Sequence, residues 1–266
     1  MKKWICLVLA AVLCVCALTA AAEGKTSLSD FSSRLKKGGG QLKHAVDAAP
    51  AEEDAPEETD NSFGPAVRAD DPFFKKIRSS AYLNETDYSR EANVMIELQN
   101  VSGRTLYPDE VSIIAYDAAG TVIDEETYSS YGPDMVGNGE SLFIWDWFYG
   151  FDRPVAEISY FEVKVESETS SYSEYAKIDG EALVSEGVAY AVVENATEND
   201  IYGVSATIVM ENDEGTLLDV TEITTGNTCG IFPGSVMVLR DNASDYANDS
   251  ALAAGKAAAY VLYRLD

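Results

Sequence analysis

The sequence predicts an all-β chain built from two tandem copies of one small β-sandwich module, carried behind a leader and a polar tail. Three observations carry this. From Pro72 onward the apolar residues fall in short β-branched and aromatic runs, separated by Gly, Asn, Asp and Pro every 10 to 20 residues. No stretch there has a helical stripe, apart from a short alanine-rich piece near Ala251. A shift of 95 positions also superposes a long block of the chain on itself without a gap.

Residues 1–22 have the form of an export signal. Lys2 and Lys3 make a basic start, Trp4 to Leu18 is apolar, and Ala20-Ala21-Ala22 offers small residues for cleavage. Cys14 and Cys16 raise the alternative of lipid attachment, but Leu13 and Val15 precede them where that chemistry needs a small residue. Cleavage is the expectation, and an uncleaved anchor is the other alternative. Cleavage removes two lysines and no acids, leaving 17 Lys+Arg against 45 Asp+Glu, a net charge of −28. Such a surface repels nucleic acid and anionic lipid, so no nucleic-acid partner is expected, and membrane contact only through an uncleaved signal. It also leaves one cysteine of four, Cys229, so the modules must stand on apolar cores without internal disulfides. Cys229 itself is expected as a small buried hydrophobe, with an intermolecular bridge as the alternative.

Residues 23–72 read as a flexible low-complexity tail containing Gly38-Gly39-Gly40 and a run rich in Ala, Pro and Glu. Its first half is basic, through Lys25, Arg34, Lys36, Lys37 and Lys43. Its second half is acidic, through Glu52, Glu53, Asp54, Glu57, Glu58 and Asp60. A solvated spacer is expected there.

The first module is expected over 73–167, with strands around Val94–Leu98, Val111–Tyr116 and Ser141–Trp145. The second is expected over 168–266, behind a Ser-, Glu- and Tyr-rich connector from Glu166 to Tyr175. Under the 95-residue shift Asn100 meets Asn195, Leu106 meets Ile201, Gly120 meets Gly215 and Gly139 meets Gly234. Gly120 and Gly215 follow polar turn residues, where a hairpin needs positive φ. The last strands, Tyr160–Val163 and Tyr260–Tyr263, match only after a further shift of five, which predicts an insertion between Asp241 and Tyr260. The Asn-x-Ser/Thr triplets at Asn84, Asn100, Asn195, Asn242 and Asn248 are expected as turn chemistry.

A strand, an Asn-x-Ser/Thr turn, a second strand ending in Tyr-Asp and a Gly-headed strand resemble the FxLYD domain family of bacterial surface proteins. Ile113-Ile114-Ala115-Tyr116-Asp117 stands where the naming motif falls, with its Phe and Leu replaced, and copy two reads Ile208-Val209-Met210-Glu211-Asn212. The resemblance covers about 73–266. It implies an immunoglobulin-like sandwich for each module and supplies no catalytic residues.

Catalysis is tested by inventory. The one histidine, His44, falls in the expected tail, so neither module has a histidine base or a His-containing metal site. One mature cysteine lacks a histidine partner, and neither a phosphate-cradling loop nor a dinucleotide fingerprint is present, so no cofactor is expected. Carboxylate pairs remain, but a module of this size with short turns rarely builds the cleft a hydrolase needs.

The candidate ligand-binding residues are Trp145, Trp147 and Tyr149, within an aromatic cluster that includes Phe143, Phe148 and Phe151. Leu142 and Ile144 align with Met237 and Leu239, so that face is apolar in both copies and expected buried. Trp145 and Trp147 align with Arg240 and Asn242, residues a fold accepts at exposed positions. Exposed indoles suit stacking on sugar rings or anchoring a protein partner. The alternative is that they cover the module rim or pack against the linker or the second module. A weaker candidate is a calcium site from Asp241, Asp245 and Asp249 in the inserted loop, whose spacing matches no known calcium loop. The expected role is therefore non-catalytic: an exported, extracellular or surface-displayed binding or adhesion protein for an envelope glycan or protein. A structural spacer or accessory subunit is the main alternative, and a carboxylate-based hydrolase the third.

Overall fold

The computed structural model describes residues 62–169, 175–185, 188–227, 229–242 and 256–265. The expected signal, most of the expected tail, and Asp245 and Asp249 lie outside these residues. All regular structure among them is β, apart from one 3-10 turn at Val155–Glu157. No helix among the described residues is long and apolar enough to cross a membrane.

The first half carries β1 (Ala66–Ala69), β2 (Phe74–Glu85), β3 (Arg90–Asn100), β4 (Tyr107–Tyr116), β5 (Val122–Glu126), β6 (Ser130–Gly132), β7 (Ser141–Tyr149) and β8 (Tyr160–Glu168). They form two sheets, ordered β2-β3-β7-β6 and β1-β8-β4-β5. Period-two alternation points Val94, Ile96 and Leu98 of β3 and Leu142, Ile144 and Phe148 of β7 inward. There they meet Ile113 and Ala115 of β4 and Phe161 of β8 in one apolar cluster. The second half carries β9 (Tyr175–Ile178), β10 (Gly180–Ser185), β11 (Val188–Glu194), β12 (Tyr202–Glu211), β13 (Leu217–Thr224), β14 (Val236–Asn242) and β15 (Lys256–Arg264). Its sheets run β10-β11-β14 and β13-β12-β15-β9, around Ala189, Ala191, Val193, Ile208, Met210 and Leu239.

A third cluster joins the two halves. Met95 and Phe143, on the outer face of β3 and β7, pack with Val209, Leu217 and Val220 on the outer face of β12 and β13. Around it, Arg78 Nε donates to Glu97 at 2.6 Å while its other arm pairs with Glu211 and reaches the Gly215 carbonyl at 2.5 Å. The Tyr82 hydroxyl donates to the Leu217 carbonyl at 2.8 Å. Burial, and secondly the nearby Glu97 carboxylate, push Tyr260 up to about 12.

Residues 95 apart make the same bonds. The buried Asn100 amide donates to the carbonyls of Arg104 and Val136, both at 2.8 Å, while its oxygen accepts from the Ser102 amide and hydroxyl. Asn195 does the same with Asn199, Ile231 and Thr197. Asp117 and Asn212 cap equivalent turns closed by Gly120 and Gly215, whose φ of 79° and 86° require glycine.

Three sequence expectations are corrected. Residues 62–72, expected as part of the tail, belong to the first half. β1 pairs parallel with β8, Val67 enters the core at 2% exposure, and Phe63 stacks on Tyr82 at 4.8 Å. β1 is too short to show alternation, and its partner lies more than 90 residues downstream. The last strands correspond at 96, not 100. Val111 pairs with Val165 where Ala206 pairs with Val261, and Tyr116 with Tyr160 where Glu211 pairs with Lys256. The two offsets differ by four, an even number, so both keep the same residues inward and the pattern does not separate them. Cys229 is exposed rather than buried, because the loop turns Ile231 inward in its place.

Candidate functional site

The outer face of β7 runs from buried to open. Phe143 is fully buried, its ring 5.0 Å from that of Tyr260. Trp145, opposite Met95, is half-buried against the cluster between the two halves. Trp147, opposite Asn93, is 46% exposed, and Tyr149, opposite Glu91, is 73% exposed. The three candidates share a face, as alternation requires, but the structure divides them. Trp145 seals the contact with the second half, whereas Trp147 and Tyr149 lie beyond it, their rings 6.0 Å apart and tilted by 59°. Trp145 aligns with an exposed Arg240, since none of the described residues covers the matching face of the second half.

Trp147 and Tyr149 form one wall of a groove of about 550 Å³. The other wall is the tip of the β2–β3 hairpin, Thr86 to Glu91, and Gly150 and Phe151 close the end. The tip is held by local bonds. The Thr86 hydroxyl accepts from the amides of Tyr88 and Ser89, and the Thr86 amide donates to the Ser89 carbonyl at 2.8 Å. Tyr88 is thereby left 98% exposed at the rim. Arg90 is fixed by Glu85 at 3.0 Å and by the Asp152 carbonyl at 3.0 Å, and its own carbonyl accepts from the Gly150 amide. The end of the groove rests on the core, since Phe151 is buried and stacks on Phe148 at 5.8 Å.

The groove therefore joins aromatic faces to Arg90, Asp87 and Glu91, a set able to stack on an apolar ring face and bond to hydroxyl groups around it. Tyr88 and Arg90 were not legible as site residues. The groove exists because β2 and β3 extend their pairing past Tyr82↔Asn93 to Glu85↔Arg90, whereas β10 and β11 end at Ser185↔Val188.

Carboxyls shifted upward lie elsewhere. Burial raises Asp134, and burial followed by the charge of Asp134 raises Glu222. Glu126 on β5 is raised by burial, then by Asp146 and Asp124. Of the calcium candidates, Asp241 is exposed and accepts from the Thr221 hydroxyl at 3.0 Å. No group of three or more His, Cys, Asp or Glu able to hold a metal occurs among the described residues.

No protein-family model matches this chain, and no curated protein matches it. Among solved structures, it is similar to red sea bream transglutaminase at 13% identity and a TM-score of 0.20, over 71% of this chain and 31% of that one. It is also similar to the C-terminal globular domain of the oligosaccharyltransferase of Pyrococcus abyssi, at 8% identity and a TM-score of 0.18, over 73% of this chain and 47% of that one. The chain thus spans less than half the length of either, and neither likeness bears on function.

Proposed function

We propose that this chain is an exported, non-catalytic binding protein of the cell envelope that holds a glycan in the groove at the tip of its first module. In this reading the chain is two tandem immunoglobulin-like modules of the FxLYD kind, related by duplication, and the second module braces the first. One observation carries the assignment: Trp147 and Tyr149 stand open beside Arg90, Asp87 and Glu91, in a groove whose end rests on buried Phe151. Large aromatic rings left in water on a rigid support cost nothing to reorganise when a sugar ring stacks on them. The net charge makes nucleic acid an unsuitable occupant. A spacer role is the second reading, favoured by the apolar and ionic contact between the halves, which stiffens the chain.

The test is capture of immobilised envelope glycans by the full chain and by the double variant Trp147→Ala, Tyr149→Ala. Both side chains are exposed, so the variant should keep its stability within about 0.5 kcal/mol per site. Capture should fall by at least about tenfold. Wild-type chain that captures no glycan, or a variant that captures as well as wild type, would remove the groove assignment and leave the spacer reading.

A further inference from the structure

We infer that the groove at the tip of the first half, in its role as a glycan site, selects an amino sugar whose nitrogen is a free ammonium group. The inference rests on that role and on the charges of the groove. The charged side chains that line it are Asp87, Arg90 and Glu91. The cation is already committed. Arg90 Nε donates to Glu85 at 3.0 Å, and its Nη1 donates to the carbonyls of Phe151 and Asp152 at 3.4 and 3.0 Å. The acids are not so matched. Asp87 is exposed at the hairpin tip and Glu91 accepts from the Ser89 hydroxyl, but no Lys or Arg among the described residues pairs with either. The nearby Arg153 is held by Asp117 and Glu157. The groove therefore presents two uncompensated carboxylates to its occupant.

Strand register sets one of those carboxylates beside the rings. On the outer face of the sheet Asn93 lies opposite Trp147 and Glu91 lies opposite Tyr149. Directly opposed side chains on one face have Cβ atoms about 5 Å apart, so a group held against Tyr149 is within reach of the Glu91 carboxylate. The Trp147 and Tyr149 rings are inclined by 59°, with centroids 6.0 Å apart, so one flat sugar ring stacks on only one of them. With the sugar on the larger Trp147, Tyr149 meets a substituent at the sugar's edge. The face of an aromatic ring is negative and attracts a cation, and a carboxylate alongside adds a charge-assisted hydrogen bond. An ammonium group takes both interactions, whereas a hydroxyl or an amide takes only the hydrogen bond.

Other occupants fit less well. A uronic acid would set its carboxylate against Asp87 and Glu91, and Arg90, tied to Glu85, does not offset that repulsion. An N-acetylated sugar replaces the charge with a larger neutral amide. A lysine stem or choline brings the charge without the flat apolar face that Trp147 is placed to stack on. The net charge of −26 biases approach in the same sense, since it draws cations and repels anions at long range. Net charge acts over the whole surface, however, whereas the pairing of aromatic rings with unmatched acids is local to this groove.

Calorimetric titration of the full chain with tetramers of glucosamine, N-acetylglucosamine and glucose in one linkage tests this, at a pH where the sugar amine is protonated. The three differ in carrying an ammonium, an acetamide or a hydroxyl at the same carbon. The glucosamine tetramer should bind at least about tenfold more tightly than the other two, and added salt should reduce that margin. Asp87→Asn alone, at the exposed tip, should already reduce the margin, and adding Glu91→Gln should remove it. Glu181→Gln with Glu194→Gln, which deletes the same charge from exposed sites on β10 and β11, should keep it. A wild-type chain that binds the three alike, or captures only glycans without a free amine, overturns the inference and leaves the groove reading in place. A chain that captures no glycan overturns both. A margin that survives in the Asp87, Glu91 variant, or is lost equally in the Glu181, Glu194 variant, assigns the preference to overall charge and overturns the inference. So does a lysine tetrapeptide or choline that binds as tightly as the glucosamine tetramer, since the sugar ring would then contribute nothing.

Discussion

Replacing Asn100 with alanine removes four hydrogen bonds in one step. The side-chain amide donates to two backbone carbonyls at 2.8 Å, and the oxygen accepts from the Ser102 amide at 2.9 Å and its hydroxyl at 2.7 Å. Each is worth about 1 kcal/mol net in a protein. Both carbonyls still find a donor in the variant, since the Ser102 hydroxyl, freed from the Asn100 oxygen, can turn to Arg104 and the Leu106 amide already reaches Val136. The loss is therefore close to the sum of the bonds, without a further large penalty for stranded groups, and about 3 to 4 kcal/mol is expected. For a folded unit of this size that is a fall in melting temperature of about 10 °C. The isosteric Asn100→Asp separates hydrogen bonding from packing. It fills the same volume but turns a carboxylate oxygen toward the two carbonyls the amide served, so it should cost at least as much as alanine. Asn195→Asp should cost about the same, because Asn195 makes the same four bonds. The assay is urea unfolding followed by tyrosine and tryptophan fluorescence. An Asn100→Asp chain as stable as wild type would refute the reasoning, for it would mean that side-chain shape rather than donor chemistry holds these turns.

Two further outcomes are expected at the contact between the halves. Arg78→Ala leaves Glu97 and Glu211, 12% and 27% exposed, facing each other without their cation. A cost of about 2 to 3 kcal/mol follows, below the range for fully buried pairs because Glu211 is partly open to water. Adding Glu97→Gln and Glu211→Gln should recover most of it, and no recovery in urea midpoint would show that packing alone was lost. Asp134 and Glu222 titrate above the ordinary carboxylate range, so the native state binds more protons than the unfolded chain between about pH 4 and the raised values. Stability should thus fall as pH rises through that window, giving a higher urea midpoint at about pH 5 than at about pH 7. Asp134→Asn with Glu222→Gln should flatten the slope, and a midpoint that rises with pH would contradict the assignment. The lowered Asp117, held down first by the Thr121 amide, acts in the opposite sense and only below the ordinary range, outside this window.

Much of the local structure was legible because its causes are local. The turns at Asn100 and Asn195 and the glycines at 120 and 215 rest largely on residues within five positions, although each Asn also bonds a carbonyl 36 residues on, whereas Asn84 and Asn242 lie within strands rather than turns. The repeat likewise identified Leu142 and Ile144 as buried, through their alignment with Met237 and Leu239, and both are fully buried. The groove was half legible. Trp147 was singled out by the repeat and Tyr149 by the aromatic cluster, but Tyr88 and Arg90 join them across about 60 residues, through an extended hairpin that no local signal marks.

The sequence by itself determined which residues of β7 share a face and where the turns closed by Gly120 and Gly215 fall, since these follow from the period-two pleat and from residues that tolerate special backbone angles. Only the tertiary structure decided what covers each face. Phe143, Trp145, Trp147 and Tyr149 alternate along one outer face, yet they pass from full burial to 73% exposure. The change comes where Val209, Leu217 and Val220 of the second half end their contact. The register of the last strand was undecided for a related reason, because any even shift preserves the pattern and only pairing with β12 selects one. Alternation is a property of one strand, whereas burial is a property of two surfaces that meet, and the second surface lies far away in the chain.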